Sequence, residues 1–431
     1  MKITAVGGYK AVGRNMTGIT INDETVAIDN GIRLDTLQIY DENTNELRKR
    51  PVDELIDMDI ITEPRRLKNI KVQIVSHGHL DHYGAIPIHK PKIPIISTPY
   101  TVEIIRSEYK DGIYKRINYG EDYEISSNFS VEFVEITHSI PYTSVVVLHT
   151  LEGDIVYASD FRFDNNSLIS KPDYKRLREI GKGNVKVLLA ESTRVKYKGK
   201  TPSEEIVRKK LNDIIKFIDN DINDGIIITT TFSTHIERIQ SILYEIEKTD
   251  RTPIILGRSL SKNINLAKNF DLIDLPHDIK IFSSTKALRN ILREINNSNR
   301  NEYFLIVTGH QGEPDSVLSK MIDNRLFGFQ KNDSVIFCAD VIPTPLNEAS
   351  RYALETKLRS FGVRIFDNVH VSGHSSREDH RYLINLLKPE HIIPCHGSME
   401  MRGSYAELAT EEGYEIEGNL HLLTNGKSIE I

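Results

Sequence analysis

Ser76-His77-Gly78-His79-Leu80-Asp81-His82-Tyr83-Gly84 follows the apolar run 70–75 and decides the reading of this chain. Zinc takes imidazole nitrogen and carboxylate oxygen, and catalytic zinc sites keep a position open for water. In an extended run, His77 and His79 fall on one face and can hold one ion together. Asp81 and His82 follow as the chain turns and can hold a second. Four ligand-type residues in six positions, after a strand and before a glycine, have no structural explanation as ordinary surface histidines.

Such a site needs further ligands from elsewhere in the chain. His138 in Glu135-Ile136-Thr137-His138-Ser139, Asp160 in Tyr157-Ala158-Ser159-Asp160-Phe161 and His396 in Ile393-Pro394-Cys395-His396-Gly397 each follow an apolar, strand-like run. Taken singly, each reads as a satisfied core or loop residue. Taken with the cluster they complete two metal shells, with Asp160 as the bridging carboxylate and Asp29 orienting a ligand from behind. Two other motifs fail on spacing. Gly7-Gly8 through Gly13 does not fit a dinucleotide fingerprint, and Gly426-Lys427-Ser428 lacks the glycine a P-loop needs.

Around these motifs the first part of the chain alternates short strands and turns: 3–6, 18–21, 25–28, 70–75, 131–136, 143–149, 154–157 and 185–190. Residues 36–68 read as an irregular polar insertion. Beyond residue 200 the rhythm changes to strand and helix in alternation. Strands 225–230, 253–256, 303–307 and 334–338 are followed by helices 235–248, 260–269, 314–322 and 347–360. That rhythm predicts a parallel, doubly wound sheet. A strand at 366–371, a helix at 376–387 and a strand at 392–394 follow. Residues 419–423 and 427–431 form a predicted terminal hairpin around Asn425-Gly426.

The 431 residues predict two or three domains, and 39% hydrophobic with 27% charged residues is a globular composition. A net charge of -6 excludes a globally basic nucleic-acid binder but not a local basic surface. Residues 171–200 hold such a local excess of Lys and Arg. No apolar run is long enough to span a membrane. The N-terminus MKITAVGGYK has no signal-peptide core. Cys338 and Cys395 form no CxxC pair and read as buried free thiols in a reducing compartment. The expected location is the cytoplasm, with no membrane partner.

The wider pattern resembles the β-CASP branch of the metallo-β-lactamase superfamily. The match consists of the His-x-His-x-Asp-His run, Glu191-Ser192-Thr193, a long α/β insertion, Val371-Ser372-Gly373-His374-Ser375 and Cys395-His396-Gly397. The last three motifs are similar to the acidic motif A, the His of motif B and the His of motif C. A His in the motif C position is typical of RNA-processing members. Within that branch the chain resembles the ribonuclease J family in its archaeal form. Further matching stretches are Gly7-Gly8 with Val12-Gly13-Arg14-Asn15, Gly309-His310-Gln311-Gly312-Glu313-Pro314, and Pro343 with Asn347-Glu348. Two departures stand out. Bacterial members carry a further C-terminal domain not seen here, and Ala339-Asp340 puts a carboxylate where they have a Ser contacting a 5′ phosphate.

The resemblance implies an α/β fold, a metallo-β-lactamase αββα sandwich carrying an inserted parallel α/β (β-CASP) domain. The expected limits are 1–197 and 366–431 for the sandwich and 198–365 for the insertion. It implies a metal-dependent ribonuclease with two Zn2+ per subunit, Mn2+ or Mg2+ being alternatives. The ligand set is His77, His79, Asp81, His82, His138, Asp160 and His396. Asp81, His374 and Glu191 are the catalytic set. His374 contacts a phosphoryl oxygen or protonates the leaving group, and Glu191 orients it. The implied activity is 5′-to-3′ exonuclease action on single-stranded RNA with a 5′ monophosphate, by a homodimer. Ser372, Gly373, His374 and Ser375 are candidates for the phosphate pocket in a cleft between domains. Ser233, His235 and Arg238 are further RNA-contact candidates, with Ser233 as a helix N-cap the plain alternative. His310 stays open between the two readings; His370, His380 and His391 read as structural. Alternatives to the exonuclease are an endonuclease of the cleavage-and-polyadenylation type, a small-molecule thioesterase or lactonase, and a non-catalytic RNA-binding subunit.

Overall fold

The computed structural model describes residues 1–35, 47–221, 225–342 and 344–431. Most of the predicted insertion's start, and Pro343, lie outside the described residues. The chain divides into two compact units. The first comprises Met1–Asn165, Ser170–Thr201 and Gly373–Ile431; the second comprises Asn166–Ile169 and Pro202–Ser372.

The first unit holds two sheets. One contains β1 (Lys2–Gly7), β2 (Met16–Ile21), β3 (Glu24–Ile28), β4 (Ile70–Ile74), β5 (Pro94–Ser97), β6 (Ile113–Arg116) and the terminal β19 (Ser428–Glu430), in the order β19-β1-β2-β3-β4-β5-β6. The other contains β7 (Asp122–Ser126), β8 (Phe129–Glu135), β9 (Ser144–His149), β10 (Asp154–Ala158), β11 (Val185–Glu191) and β18 (His391–Cys395), in the order β18-β11-β10-β9-β8-β7. Side chains alternate along each strand, so every second residue faces the partner sheet. Ile3, Ala5, Ile19, Val26, Ile74, Phe133, Val146, Leu148, Ile155 and Leu189 share that central core. The opposite faces of β9 to β11, with Val145, Val147, Val156 and Leu188, pack with Leu177, Leu383 and Leu408 of the helices Tyr174–Ile180, Arg377–Leu387 and Met399–Glu411. Ile32, Leu55 and Ala85 form a smaller cluster with the segment around the helix Val52–Asp57. This is the expected αββα sandwich.

Strand direction gathers the site. β10, β11 and β18 are parallel, with Ala158 opposite Ala190 and Glu191 opposite Cys395. β8 and β10 are both antiparallel to β9, so they run the same way. Glu191 at the end of β11 and His138, Asp160 and His396 just past the ends of β8, β10 and β18 therefore emerge at one edge.

The second unit is a six-stranded, all-parallel sheet: β12 (Ile227–Thr230), β13 (Thr252–Leu256), β14 (Lys280–Phe282), β15 (Tyr303–Val307), β16 (Ser334–Phe337) and β17 (Arg364–Phe366), in the order β14-β13-β15-β12-β16-β17. Helices cover both faces. Val207, Leu211, Ile239, Leu243, Leu260 and Ile264 pack on one side, and Leu292, Leu318, Met321, Leu354 and Leu358 on the other. The doubly wound sheet agrees with the strand–helix rhythm. The helices Glu205–Asp221 and Thr285–Asn296 and the strand β14 add to it.

Two local expectations are corrected. The strand expected over 366–371 is the shorter β17, whose pairing with β16 and the burial of Val369 and Val371 put these residues in the second unit. The terminal hairpin does not form. Lys427 does donate to the Thr424 carbonyl, so the turn is real. Its two arms join different sheets, however: Leu420 bridges to Ile392, while Ile429 pairs with Ile3. The Asn425 side chain accepts from the Tyr9 N–H at 2.9 Å and Gly426 donates to the Ala5 carbonyl at 2.6 Å, which draws the last strand onto β1.

Candidate metal centre

After Ile74 the chain leaves the ladder and winds from Ser76 into a single helical turn, Leu80–Tyr83. Gly31 lets this turn approach closely: a Cβ there would lie 1.6 Å from the Asp81 carbonyl oxygen. The loop delivers His77, His79, Asp81 and His82 to the edge where His138, Asp160 and His396 emerge, so the structure brings all seven ligand candidates together. They form two groups that share Asp160: His77, His79 and His138 on one side, Asp81, His82 and His396 on the other.

Asp160 Oδ2 lies 3.4 Å from both His77 Nε2 and His138 Nε2, and His138 Nε2 is 3.1 Å from His79 Nδ1. Asp160 Oδ1 lies 3.4 Å from both His82 Nε2 and His396 Nε2. Asp81 Oδ2 is 3.5 Å from His82 Nε2 and 3.8 Å from His396 Nε2. Ligand bonds of about 2.0–2.2 Å around a tetrahedral ion put neighbouring ligand atoms about 3.3–3.6 Å apart, so the observed spacings fit an ion inside each group. Buried atoms that lack a hydrogen-bond partner point the same way. His77 Nε2, His396 Nε2 and Asp160 Oδ1 have none, and leaving such atoms unmet costs about 1–3 kcal/mol each.

Protonation states suit cations. Burial, reinforced by His77, holds His79 at about 3. Burial likewise lowers His138 and His396. Burial opposes ionisation of Asp160, but His396 and His82 outweigh it and hold the carboxylate ionised. His82 is the exception: burial opposes its charge, but Asp160, Asp81 and Asp29 prevail and raise it well above the ordinary histidine value. An ion there would displace a proton, since neutral imidazoles and ionised carboxylates are the forms that bind metal.

A second layer fixes the rings. His138 Nδ1 donates to the Gly373 carbonyl at 2.7 Å, and His396 Nδ1 meets Asn15 Oδ1 at 2.8 Å. His82 Nδ1 meets Asp29 Oδ2 at 2.7 Å, and Asp29 also accepts from the Ser76 N–H, the Ser76 hydroxyl and the Tyr157 hydroxyl. The contacts of His138 and His396 leave the opposite ring nitrogen for an ion, whereas His82 Nε2 also lies 3.1 Å from the Asn15 amide nitrogen. Asp29 and His396 both sit at positive φ, 57° and 47°, a backbone cost of about 1–3 kcal/mol each that their bonds must hold. A Cβ on Gly373 would lie 2.8 Å from His138 Nδ1, so only glycine allows that carbonyl contact unchanged.

Beside the two groups, His374 Nδ1 meets Glu191 Oε2 at 2.8 Å. Glu191 is fully buried, and Thr193 donates its hydroxyl to the same oxygen. Burial works against a charged His374, yet Glu191 and Asp160 prevail and hold its pKa at about 9. The expected catalytic pair is thus in contact, next to Asp160.

Comparison with known proteins identifies the family. The model of the ribonuclease J β-CASP domain matches residues 224–353, and that of the Zn-dependent metallo-hydrolase RNA specificity domain matches 362–417. Ribonuclease J of Pyrococcus abyssi is 46% identical across 100% of this chain and 97% of its own. Ribonuclease J of Methanocaldococcus jannaschii is 43% identical across 100% and 98%. The chain belongs to the ribonuclease J family. A crystal structure of a protein of unknown function from Enterococcus faecalis, 17% identical, covers 99% of both chains with a TM-score of 0.67 and shares the fold. Membership makes this chain a ribonuclease, and among the described residues no helix is long and apolar enough to cross a membrane.

Not every expected ribonuclease contact survives the geometry. Arg238 is fully buried. It grips Glu204, with Nη2 to Oε2 at 2.8 Å, and donates to the carbonyls of Cys338, Val369 and Val371. Its charge is spent inside the second unit, so it is a structural pin rather than a phosphate contact. His235 is 1% exposed, and it, not Ser233, caps the helix Ile236–Ile246 by accepting the Arg238 N–H. Ser233 instead accepts from Asn263 through its carbonyl and hydroxyl. Arg is rarely buried without a partner, and the partner, Glu204, carries no sequence signal of its own. His310 is buried against Phe232, with ring centroids 3.9 Å apart. His380 packs between Phe161 and Tyr405, and His391 stacks on His421. Cys338 and Cys395 are free and buried. Sequence reasoning missed Asn15 as the partner of His396; its signal was the Gly13-Arg14-Asn15 loop.

Proposed function

We propose that this chain is a two-zinc, 5′-to-3′ exoribonuclease that releases 5′-mononucleotides from single-stranded RNA bearing a 5′ monophosphate. The observation that carries the two-metal reading is Asp160: its Oδ2 lies 3.4 Å from His77 and His138 and its Oδ1 3.4 Å from His82 and His396, so it is shared by two separate ligand groups. His77, His79 and His138 would hold one ion, Asp81, His82 and His396 the other, and Asp160 both. When bound, two zinc ions supply Lewis acidity toward phosphoryl oxygens and make water acidic enough to react near neutral pH.

The remaining steps belong to the protein. His374, kept protonated by Glu191, donates to a phosphoryl oxygen or gives its proton to the leaving 3′ oxygen. Glu191 fixes the ring and favours its charged form, a positioning role. The N–H groups of Gly373 and Ser375 form no hydrogen bond among the described residues, and the buried Ser375 hydroxyl has no partner. They are the donors this reading gives to a terminal 5′ phosphate, together with Ser372. The ligand second layer, Asp29 and Asn15, sets imidazole orientation. The same reading takes the cytoplasm as the compartment, where both buried thiols stay reduced.

Internally labelled RNA with either a 5′ monophosphate or a blocked 5′ end tests direction. Mononucleotide release from the open end alone is the expected result. Equal internal cutting of both substrates would replace the exonuclease by an endonuclease.

A further inference from the structure

The Gly-rich loop that fails as a dinucleotide fingerprint walls a cavity of about 120 Å³ in the first unit. Its lining includes Gly8, Lys10, Gly13, Arg14, Arg33 and Asp59. The volume equals about four waters, far below the roughly 300–1,000 Å³ of pockets that enclose a whole small molecule. Three cations face one carboxylate. Arg14 and Arg33 both pair with Asp59, and Arg33 also pairs with Asp35 from behind. Lys10 is exposed and forms no ion pair among the described residues.

Two further observations point to an anion. The backbone N–H groups of residues 10–13 make no hydrogen bond among the described residues. Gly13 and Arg14 take consecutive positive φ values, 83° and 53°. The Arg14 and Asn15 N–H groups that follow are taken by the Ile32 and Asp81 carbonyls, so the open donors at this cavity are those that precede the turn. The loop is also tied to the second ligand group. Gly8 accepts the Gly397 N–H at 3.4 Å, Asn15 meets His396, and a Cβ on Gly13 would lie 3.3 Å from Asp81 Cβ.

We infer that this cavity binds one backbone phosphate of the RNA, next to the phosphate being cleaved, through the Lys10 side chain and the N–H groups of Lys10, Ala11 and Gly13, which line it. The inference rests on the ribonuclease reading for its ligand. Arg14 and Arg33, tied to Asp59, shape the receptor and supply field. A free phosphate has the same chemistry, so the test must separate the two sources.

The test uses the full chain stripped of metal by a chelator, so that RNA stays intact while binding is measured. A set of single-stranded oligonucleotides carries one neutral methylphosphonate at each successive position. Wild-type protein is expected to lose several-fold affinity at one position near the cleavage site. Lys10→Ala should bind unmodified RNA several-fold more weakly and be indifferent to that methylphosphonate; Lys10→Arg should restore both. The slope of log affinity against log salt should flatten by about 0.7 for Lys10→Ala, the value for one contact on a single strand. Independent, additive losses for the variant and the methylphosphonate would overturn the assignment. So would a wild-type scan with no sensitive position, which needs no variant at all. Lys10-dependent binding of inorganic phosphate with no effect on RNA would assign the cavity to the free ion instead. If metal-loaded wild type leaves RNA uncut while the scan still finds its position, the hydrolysis reading fails and the pocket stands.

Discussion

In the first unit, imidazole nitrogens and carboxylate oxygens turn toward one another around Asp160, acceptor facing acceptor. In the second unit, Arg238 is equally buried, but each of its partners is an acceptor: the Glu204 carboxylate and the carbonyls of Cys338, Val369 and Val371. Both clusters carry charge out of water, and both contain histidine. In the second, every Arg238 donor meets an acceptor. The first leaves His77 Nε2, His396 Nε2 and Asp160 Oδ1 buried without a partner, lone pairs that bound cations would match. Burial and charge alone do not mark a functional site; the mismatch between donors and acceptors does.

The largest expected effect comes from removing the shared carboxylate. Asp160→Ala should lose both ions and lower turnover by about 10³-fold or more, since Lewis-acid stabilisation is worth several kcal/mol. Metal analysis beside an RNA hydrolysis assay checks it. Full metal content with near-normal turnover would break the contrast.

Removing one half of the Arg238–Glu204 pair should act on stability instead. Glu204→Gln or Arg238→Met should cost about 3–5 kcal/mol in denaturant unfolding, because each leaves a buried group unmatched. A double replacement by apolar residues of similar volume should recover most of that loss. Unchanged stability with a selective loss of RNA affinity would move Arg238 from pin to ligand.

Asp29→Asn should be milder. It weakens the support of His82 and should reduce metal affinity about 10–100-fold, measured by competition with a chelator. The buried Asp29 also receives Ser76 and Tyr157, so a drop in thermal stability should accompany it.

The smallest effect concerns a third cluster, half-exposed on the first unit. His149 bonds to Asp154 at 2.8 Å and to Glu132 at 3.2 Å, and these bonds raise its pKa to about 9. Because the folded value lies above the ordinary 6.5, the contribution is full below about pH 6.5 and is lost as pH rises through about 9. Solvent screening keeps it below about 1 kcal/mol. His149→Gln should therefore destabilise slightly at pH 6 and not at pH 10, read from unfolding curves at both.

Several parts of this molecule were legible without coordinates. The His77-to-His82 run announces metals because ligand types at that density have no other use. The strand–helix rhythm after residue 200 announces a parallel sheet because its period switches between two and 3.6. His138, Asp160 and His396 were readable as the residues that follow apolar runs. Other features were not. Ser233 looked like the cap of its helix, yet the His235 side chain took that role. Asn425-Gly426 gave a true turn but not its partners, since a turn signal is local while sheet membership depends on which edge is open.

What the sequence by itself determined, then, is the chemistry on offer and the order of the elements, because ligand type and hydrophobic period are local properties of the chain. Only the tertiary structure decided which charges are matched. It brought Glu204 onto Arg238 and buried the pair, placed Asn15 behind His396, and turned the failed nucleotide loop into a basic cavity beside Asp81. Each of those outcomes is a pairing between segments distant in the chain, and whether a buried charge is a pin or a site depends on that pairing.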